Sequence, residues 1–148
     1  MLSVAQAQKA VNAGARFIVS PGFDPKVVDW CLQEKVPVIP GVATATEVLM
    51  AFDKDLTILK FFPAEAAGGI PMLEALAAVF AWIKFVPTGG ITASNLIAYL
   101  KLPMVFAVGG SWLVPSKLIS AENFDEIARL TSEAVAMIRS ERLKGKEK

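Results

Sequence analysis

Five short apolar runs, at residues 15–20, 36–41, 57–62, 83–87 and 104–108, each end in proline, glycine or both. They close with Pro21-Gly22, Pro40-Gly41, Phe62-Pro63, Pro87-Thr88-Gly89-Gly90 and Gly109-Gly110-Ser111. Between them lie stretches whose apolar residues recur at helical spacing. Strand-sized runs alternating with helix-sized segments, roughly one unit per 20–25 residues, describe βαβ units and a parallel sheet. In such folds ligands gather at the carboxyl ends of the strands, so the five closing segments are expected on one rim.

The helices are bracketed by local signals. Ser3 with Gln6 fits a capping box, and Gly14 closes that helix at about Asn12 or Ala13. Asp24-Pro25 opens a second helix, with Val27, Val28, Cys31 and Leu32 on one face. Thr44 and Glu47 form another box, followed by Val48, Leu49 and Phe52. Gly68-Gly69-Ile70-Pro71 begins a helix through Leu73, Leu76 and Ala77, and Thr92 is placed to cap one holding Leu96, Ile97 and Leu100. After an irregular segment, a last amphipathic helix starts at Asn123 or Asp125 and carries Ile127, Leu130, Ala134 and Ile138. One domain is expected over residues 1–143, with 144–148 as a charged, fraying tail.

Composition removes several function classes. The 148 residues, 54% hydrophobic, carry a net charge of +1, which is not the basic surface of a nucleic-acid binder. There is no histidine, the commonest general base and metal ligand. The single cysteine, Cys31, excludes an internal disulfide and reads as a small core residue. No apolar run is long enough to span a bilayer and no signal-peptide pattern opens the chain, so a cytoplasmic setting is the default.

Lys60 interrupts the run Thr57-Ile58-Leu59-Lys60-Phe61-Phe62. A strand of this kind is expected to be buried on both faces. Burial disfavours an ammonium and brings the neutral amine within reach near neutral pH, where it attacks carbonyls to give Schiff bases. A lysine at a strand end that extends its head to water is the other reading. Lys84 has the same spacing to a proline, Pro87, but comes directly after Ala81-Trp82, nearer its strand's start. The start of a barrel strand serves stability rather than chemistry, which favours Lys60.

Thr88-Gly89-Gly90 and Gly109-Gly110-Ser111 suit an anion. Glycines let backbone N–H groups approach a ligand, a following helix adds partial positive charge, and Ser111 adds a hydroxyl. Glycines that merely permit tight turns are the alternative. Two such loops on consecutive strands tip the reading toward phosphate, which the last two strand loops of eight-stranded β/α barrels often hold together.

Leu59-Lys60-Phe61-Phe62-Pro63-Ala64-Glu65, Val86-Pro87-Thr88-Gly89-Gly90-Ile91 and Gly109-Gly110-Ser111-Trp112-Leu113-Val114 occur in the order and spacing of a known family. Together with Ile18-Val19-Ser20-Pro21-Gly22 and Ile39-Pro40-Gly41-Val42, they make nearly the whole chain resemble the KDPG/KHG aldolases, which act on 2-keto-3-deoxy-6-phosphogluconate and 4-hydroxy-2-oxoglutarate. The resemblance implies a (β/α)8 TIM barrel and a class I aldolase that needs no metal or cofactor and is usually a homotrimer. It implies a phosphorylated 2-oxo acid as substrate, with no nucleic-acid or membrane partner. It matches Lys60 to the Schiff-base lysine, Thr88, Gly89, Gly90, Gly110 and Ser111 to substrate and phosphate contacts, and Pro21 and Phe62 to pocket walls.

The departures are specific. The family's chain begins about three βα units earlier, and those units carry its catalytic glutamate, a carboxylate-gripping arginine and a Gly-Thr loop. Glu47 and Glu65 are poor replacements. Ala78-Val79-Phe80 stands where relatives have a Gly-Pro-Phe turn. About five of eight parallel strands are therefore expected, in an N-terminally truncated chain with two open sheet edges. It is a piece of a longer product, a chain completed by another, or an unclosed monomer. Impaired activity is the corresponding expectation. A phosphate-binding barrel piece without Schiff-base chemistry, or a non-catalytic assembly fragment, are the alternatives.

Overall fold

A computed structural model describes residues 1–144. Parallel strands alternate with helices in the order α1 (Val4–Asn12), β1 (Ile18–Val19), α2 (Pro25–Gln33), β2 (Val38–Ile39), β3 (Gly41–Val42), α3 (Ala45–Phe52), β4 (Ile58–Phe61), α4 (Gly69–Val79), β5 (Lys84–Pro87), α5 (Leu96–Leu100), α6 (Ser116–Ser120) and α7 (Phe124–Lys144). Residues 145–148, most of the charged tail, lie outside the described residues.

β2 and β3 are one run that changes neighbours at Pro40. Ile18 and Val19 pair with Val38 and Ile39, whereas Gly41 and Val42 pair with Lys60 and Phe61. Proline has no N–H to donate, but its carbonyl accepts from Lys60 N at 2.9 Å and so joins the two sheets. β4 pairs with β5 from Ile58↔Lys84 to Phe61↔Pro87.

The fifth expected strand, 104–108, is not a continuous strand. Only two isolated bridges remain, Phe85↔Val105 and Thr88↔Gly109, and the register slips by one residue between them. Pro87 is the cause: Phe106 N donates to Phe85 O at 2.9 Å, but Pro87 cannot return a donor, and its carbonyl next accepts from Gly109 N at 2.9 Å.

The capping signals hold at three helices. Ser3 Oγ accepts from Gln6 N, Asp24 caps α2 through Lys26 N, and Thr44 and Glu47 complete a capping box. Thr92 does not cap α5. Asn95 occupies that position, and its side chain turns back to accept from Thr92 N and donate to Gly90 O. The segment between Gly110 and Asn123 is more ordered than expected, with a 3-10 turn at Ser111–Leu113 followed by α6.

Two hydrophobic clusters fill the helix-facing side. One joins α1 and α2 to β1 and β2 and includes Cys31, whose thiol burial pushes above its ordinary pKa. The larger one gathers Val48, Leu59, Phe61, Leu73, Leu76, Phe85 and Tyr99, and Phe23 and Leu56 touch both. Leu32, Leu49 and Phe52, expected inside, are exposed. Phe52 rests instead on Trp82, with ring centroids 5.5 Å apart.

Candidate active site

β4 is not buried on both faces. Leu59 and Phe61 point into the helix-side core at 0% exposure, while Ile58 and Lys60 are only partly covered. The alternation that puts Leu59 and Phe61 against the helices puts Lys60 on the concave side of the sheet. There it lines a cavity of about 320 Å³ with Phe17, Val19, Ile39, Val86, Thr88 and Phe106. Desolvation lowers the Lys60 pKa below the ordinary lysine value. Its Nζ lies 4.7 Å from the centre of the Phe62 ring, which offers a cation-π contact without a hydrogen bond.

Register separates the two lysines. Lys60 sits opposite Val86, near the carboxyl end, whereas Lys84 sits opposite Ile58, two residues lower. Two strand residues correspond to about 6.6 Å. Lys84 is exposed and donates to Pro103 O at 2.9 Å, away from the cavity.

The two glycine loops emerge side by side because Thr88 bridges Gly109. Gly89 and Gly90 have φ of +100° and +80°, a region costly for other residues. Thr88 O accepts from Ala64 N at 2.8 Å and Gly89 O from Glu65 N at 3.1 Å. Gly90 O accepts from Asn95 Nδ2 at 3.0 Å. With the carbonyls drawn toward these partners, peptide planarity turns the N–H groups of Gly89, Gly90 and Ile91 the opposite way. The expected helix dipole is missing here: α5 is a five-residue helix that begins only at Leu96. Gly110 lies under the Trp112 indole, where a Cβ would come within 1.6 Å of a ring carbon, and Ser111 is exposed.

Pro21 is exposed and does not line the cavity, but it sits beside Gly41, the residue that pairs with Lys60. Its carbonyl packs on Gly41, where an added Cβ would lie 2.1 Å from it. Phe17 and Phe106, which the sequence reading did not single out, flank the cavity at 56% and 61% exposure. The alternation Phe17-Val19 along the first run was the available signal for Phe17. For Phe106 the slip at Pro87 hides it.

Both glutamates considered as bases are engaged by other groups. Glu47 Oε2 takes Ala43 N, Thr44 N and the Thr44 hydroxyl. Glu65 Oε1 accepts from the Tyr99 hydroxyl. Among the described residues no three His, Cys, Asp or Glu side chains converge as a metal site, and no helix is long and apolar enough to cross a membrane.

Comparison with known proteins bears on this arrangement. A family model described as KDPG and KHG aldolase matches residues 1–130. The chain is 47% identical over 138 residues to a 2-dehydro-3-deoxy-phosphogluconate aldolase of Treponema pallidum, covering 93% of this chain and 66% of that protein. It is 41% identical over 135 residues to the KHG/KDPG aldolase of Escherichia coli K12, covering 91% and 63%. Among solved structures, a KDPG aldolase of Legionella pneumophila, with pyruvate captured as a covalent carbinolamine, superposes with a TM-score of 0.83 at 44% identity, covering 86% of this chain and 62% of that one. The chain thus spans just under two thirds of the length of these relatives.

Proposed function

Since the chain belongs to the KDPG and KHG aldolase family, we propose that it carries the Schiff-base part of a class I aldolase site, with Lys60 as the nucleophile. The observation that carries this reading is the Lys60 amine, partly desolvated and facing the concave cavity. Neutral Nζ adds to the C2 ketone of a 2-oxo acid and gives a carbinolamine. Loss of water leaves an iminium, which takes up the electron pair of the breaking C3–C4 bond as the C4 hydroxyl gives up its proton. The aldehyde departs, the enamine is protonated at C3, and water releases pyruvate and the free amine. The substrates are 2-keto-3-deoxy-6-phosphogluconate, 4-hydroxy-2-oxoglutarate or both. The carbinolamine of the Legionella relative supports the first step.

In this reading Thr88, Gly89, Gly90, Gly110 and Ser111 hold the substrate's phosphate end, and Phe62 and Pro21 shape the entrance. The sheet is part of a (β/α)8 barrel, of which these are about five strands, and the assembly is a cytoplasmic homotrimer. Glu47 and Glu65 are both engaged elsewhere, which favours a second reading for this chain alone: an incomplete site whose proton shuttle comes from additional strands.

Pyruvate with borohydride tests the nucleophile. Reduction should add the pyruvate-derived mass at Lys60; Lys60→Met abolishes it and Lys84→Met leaves it intact. Equal loss from both variants would overturn the assignment. For the anion loops, Ser111→Ala should weaken inorganic phosphate by about 0.5–1.5 kcal/mol while leaving pyruvate trapping unchanged. Equal loss of both would make these loops structural turns only.

A further inference from the structure

Tyr99 on α5 is 1% exposed, and a phenol at that depth needs a partner for its hydroxyl. It donates to Glu65 Oε1. Burial, reinforced by that bond and by the carboxylate's charge, raises the phenol's pKa, so the hydroxyl keeps its proton at neutral pH. Glu65 follows Phe62-Pro63-Ala64 on the rim, and its own N–H holds Gly89 O at 3.1 Å. Its aliphatic stem occupies the space a side chain at position 90 would need, since a Cβ there would lie 2.5 Å from Glu65 Cγ. A Cβ at Gly69, the first residue of α4, would lie 3.2 Å from the Tyr99 hydroxyl and 3.3 Å from Glu65 Oε1. Four segments therefore meet at the Glu65 side chain, which keeps an exposed side: the loop after β4, the loop after β5, the start of α4 and the C-terminal end of α5.

We infer that Glu65 is a positioning residue for the Gly89-Gly90 turn, latched by the buried Tyr99 hydroxyl, so that a bond touching no ligand sets the anion affinity of the rim. The inference rests on the reading of that turn as part of an anion site. The latch acts on the loop after β5 and leaves Lys60 alone, because Lys60 is fixed by its own ladder bond to Pro40 O and its pairing with Val86.

The test uses the whole 148-residue chain and two measurements: binding of inorganic phosphate by calorimetry, and pyruvate–borohydride trapping at Lys60 by mass. Tyr99→Phe removes the hydroxyl alone and is expected to weaken phosphate about three- to tenfold, the usual worth of one hydrogen bond, with trapping unchanged. Glu65→Ala should weaken phosphate at least as much. Glu65→Gln, which keeps the stem and an acceptor oxygen, should stay near the wild-type affinity. Unchanged phosphate binding in Tyr99→Phe overturns the inference. So does a parallel fall of phosphate binding and trapping, which would mark general loosening, and so does Glu65→Gln behaving like Glu65→Ala. Absence of phosphate binding in the wild type overturns it as well. Absence of trapping in the wild type instead overturns the Schiff-base reading and leaves the latch to stand on its phosphate results.

Discussion

The chemistry assigned to Lys60 has a consequence for stability that can be measured without any substrate. Its folded pKa lies below the unfolded one because burial disfavours the ammonium. Between the two values the unfolded chain binds more protons, so this group makes stability rise with pH across that interval and acts against folding below it. Lys60→Met should therefore raise the melting temperature at pH 7, and the gain should shrink at pH values where the wild-type amine is neutral. A lowered melting temperature at pH 7 would mean that the ammonium is better solvated than its setting implies. The rate of pyruvate trapping should likewise climb with pH at values below those of an exposed lysine. The sequence placed this side chain on a strand near the rim, but strand period alone could not rank it against Lys84. The parallel register supplies that ranking, through Lys60↔Val86 and Ile58↔Lys84.

Helix starts were legible where one side chain decides the cap. Ser3, Asp24 and Thr44 all meet the N–H groups their positions call for. Thr44→Ala, which removes such an acceptor and one partner of Glu47, should cost about 1 kcal/mol in denaturant unfolding. Thr92 failed because its hydroxyl pairs with Ser94 Oγ instead of a backbone N–H, and the helix begins only at Leu96, after Asn95. The last strand failed because its continuity depends on a donor that its neighbour Pro87 lacks, which no reading of residues 104–108 alone reveals. Leu49 and Phe52 fit helical spacing, yet that spacing does not fix how wide a stripe is covered, and α3 covers only its Val48–Ala51 side. Glycine requirements were partly hidden too. Gly41 reads as a strand-end turn, but it is a point of contact: Gly41→Ala would force a Cβ to within 2.1 Å of Pro21 O and 2.6 Å of Gly22 N. Since only backbone can yield there, the variant should lose several kcal/mol or fail to fold; a melting temperature within about 2 °C of wild type would contradict the close approach.

At the scale of the whole molecule, the concave face is open. Phe17 and Phe106 stand exposed on either side of the cavity, and the relatives are half as long again as the segment matched here. A polypeptide that supplied further parallel strands, joined in cis or added in trans, would cover those rings, pair both edges and bring acid–base groups near Lys60. General acid–base help is typically worth about 10²–10⁴ in rate. The 148-residue chain is therefore expected to release little pyruvate from 2-keto-3-deoxy-6-phosphogluconate, and a chain supplied with further strands to gain turnover and thermal stability together. Equal turnover from the two would require a base within the present residues. The change of neighbours at Pro40 also bears on how the molecule comes apart. Because the ladder of β1 and β2 ends where that of β3 and β4 begins, residues 1–39, with their own hydrophobic cluster, are expected to open as a cooperative unit. This unit is hinged to the remainder through the Lys60–Pro40 bond and shared contacts at Phe23 and Leu56. Amide protons of Ile18 and Ser20 should exchange with deuterium through a lower-energy opening than those of Lys60 and Phe85, as partial unfolding of one foldon ahead of the other demands.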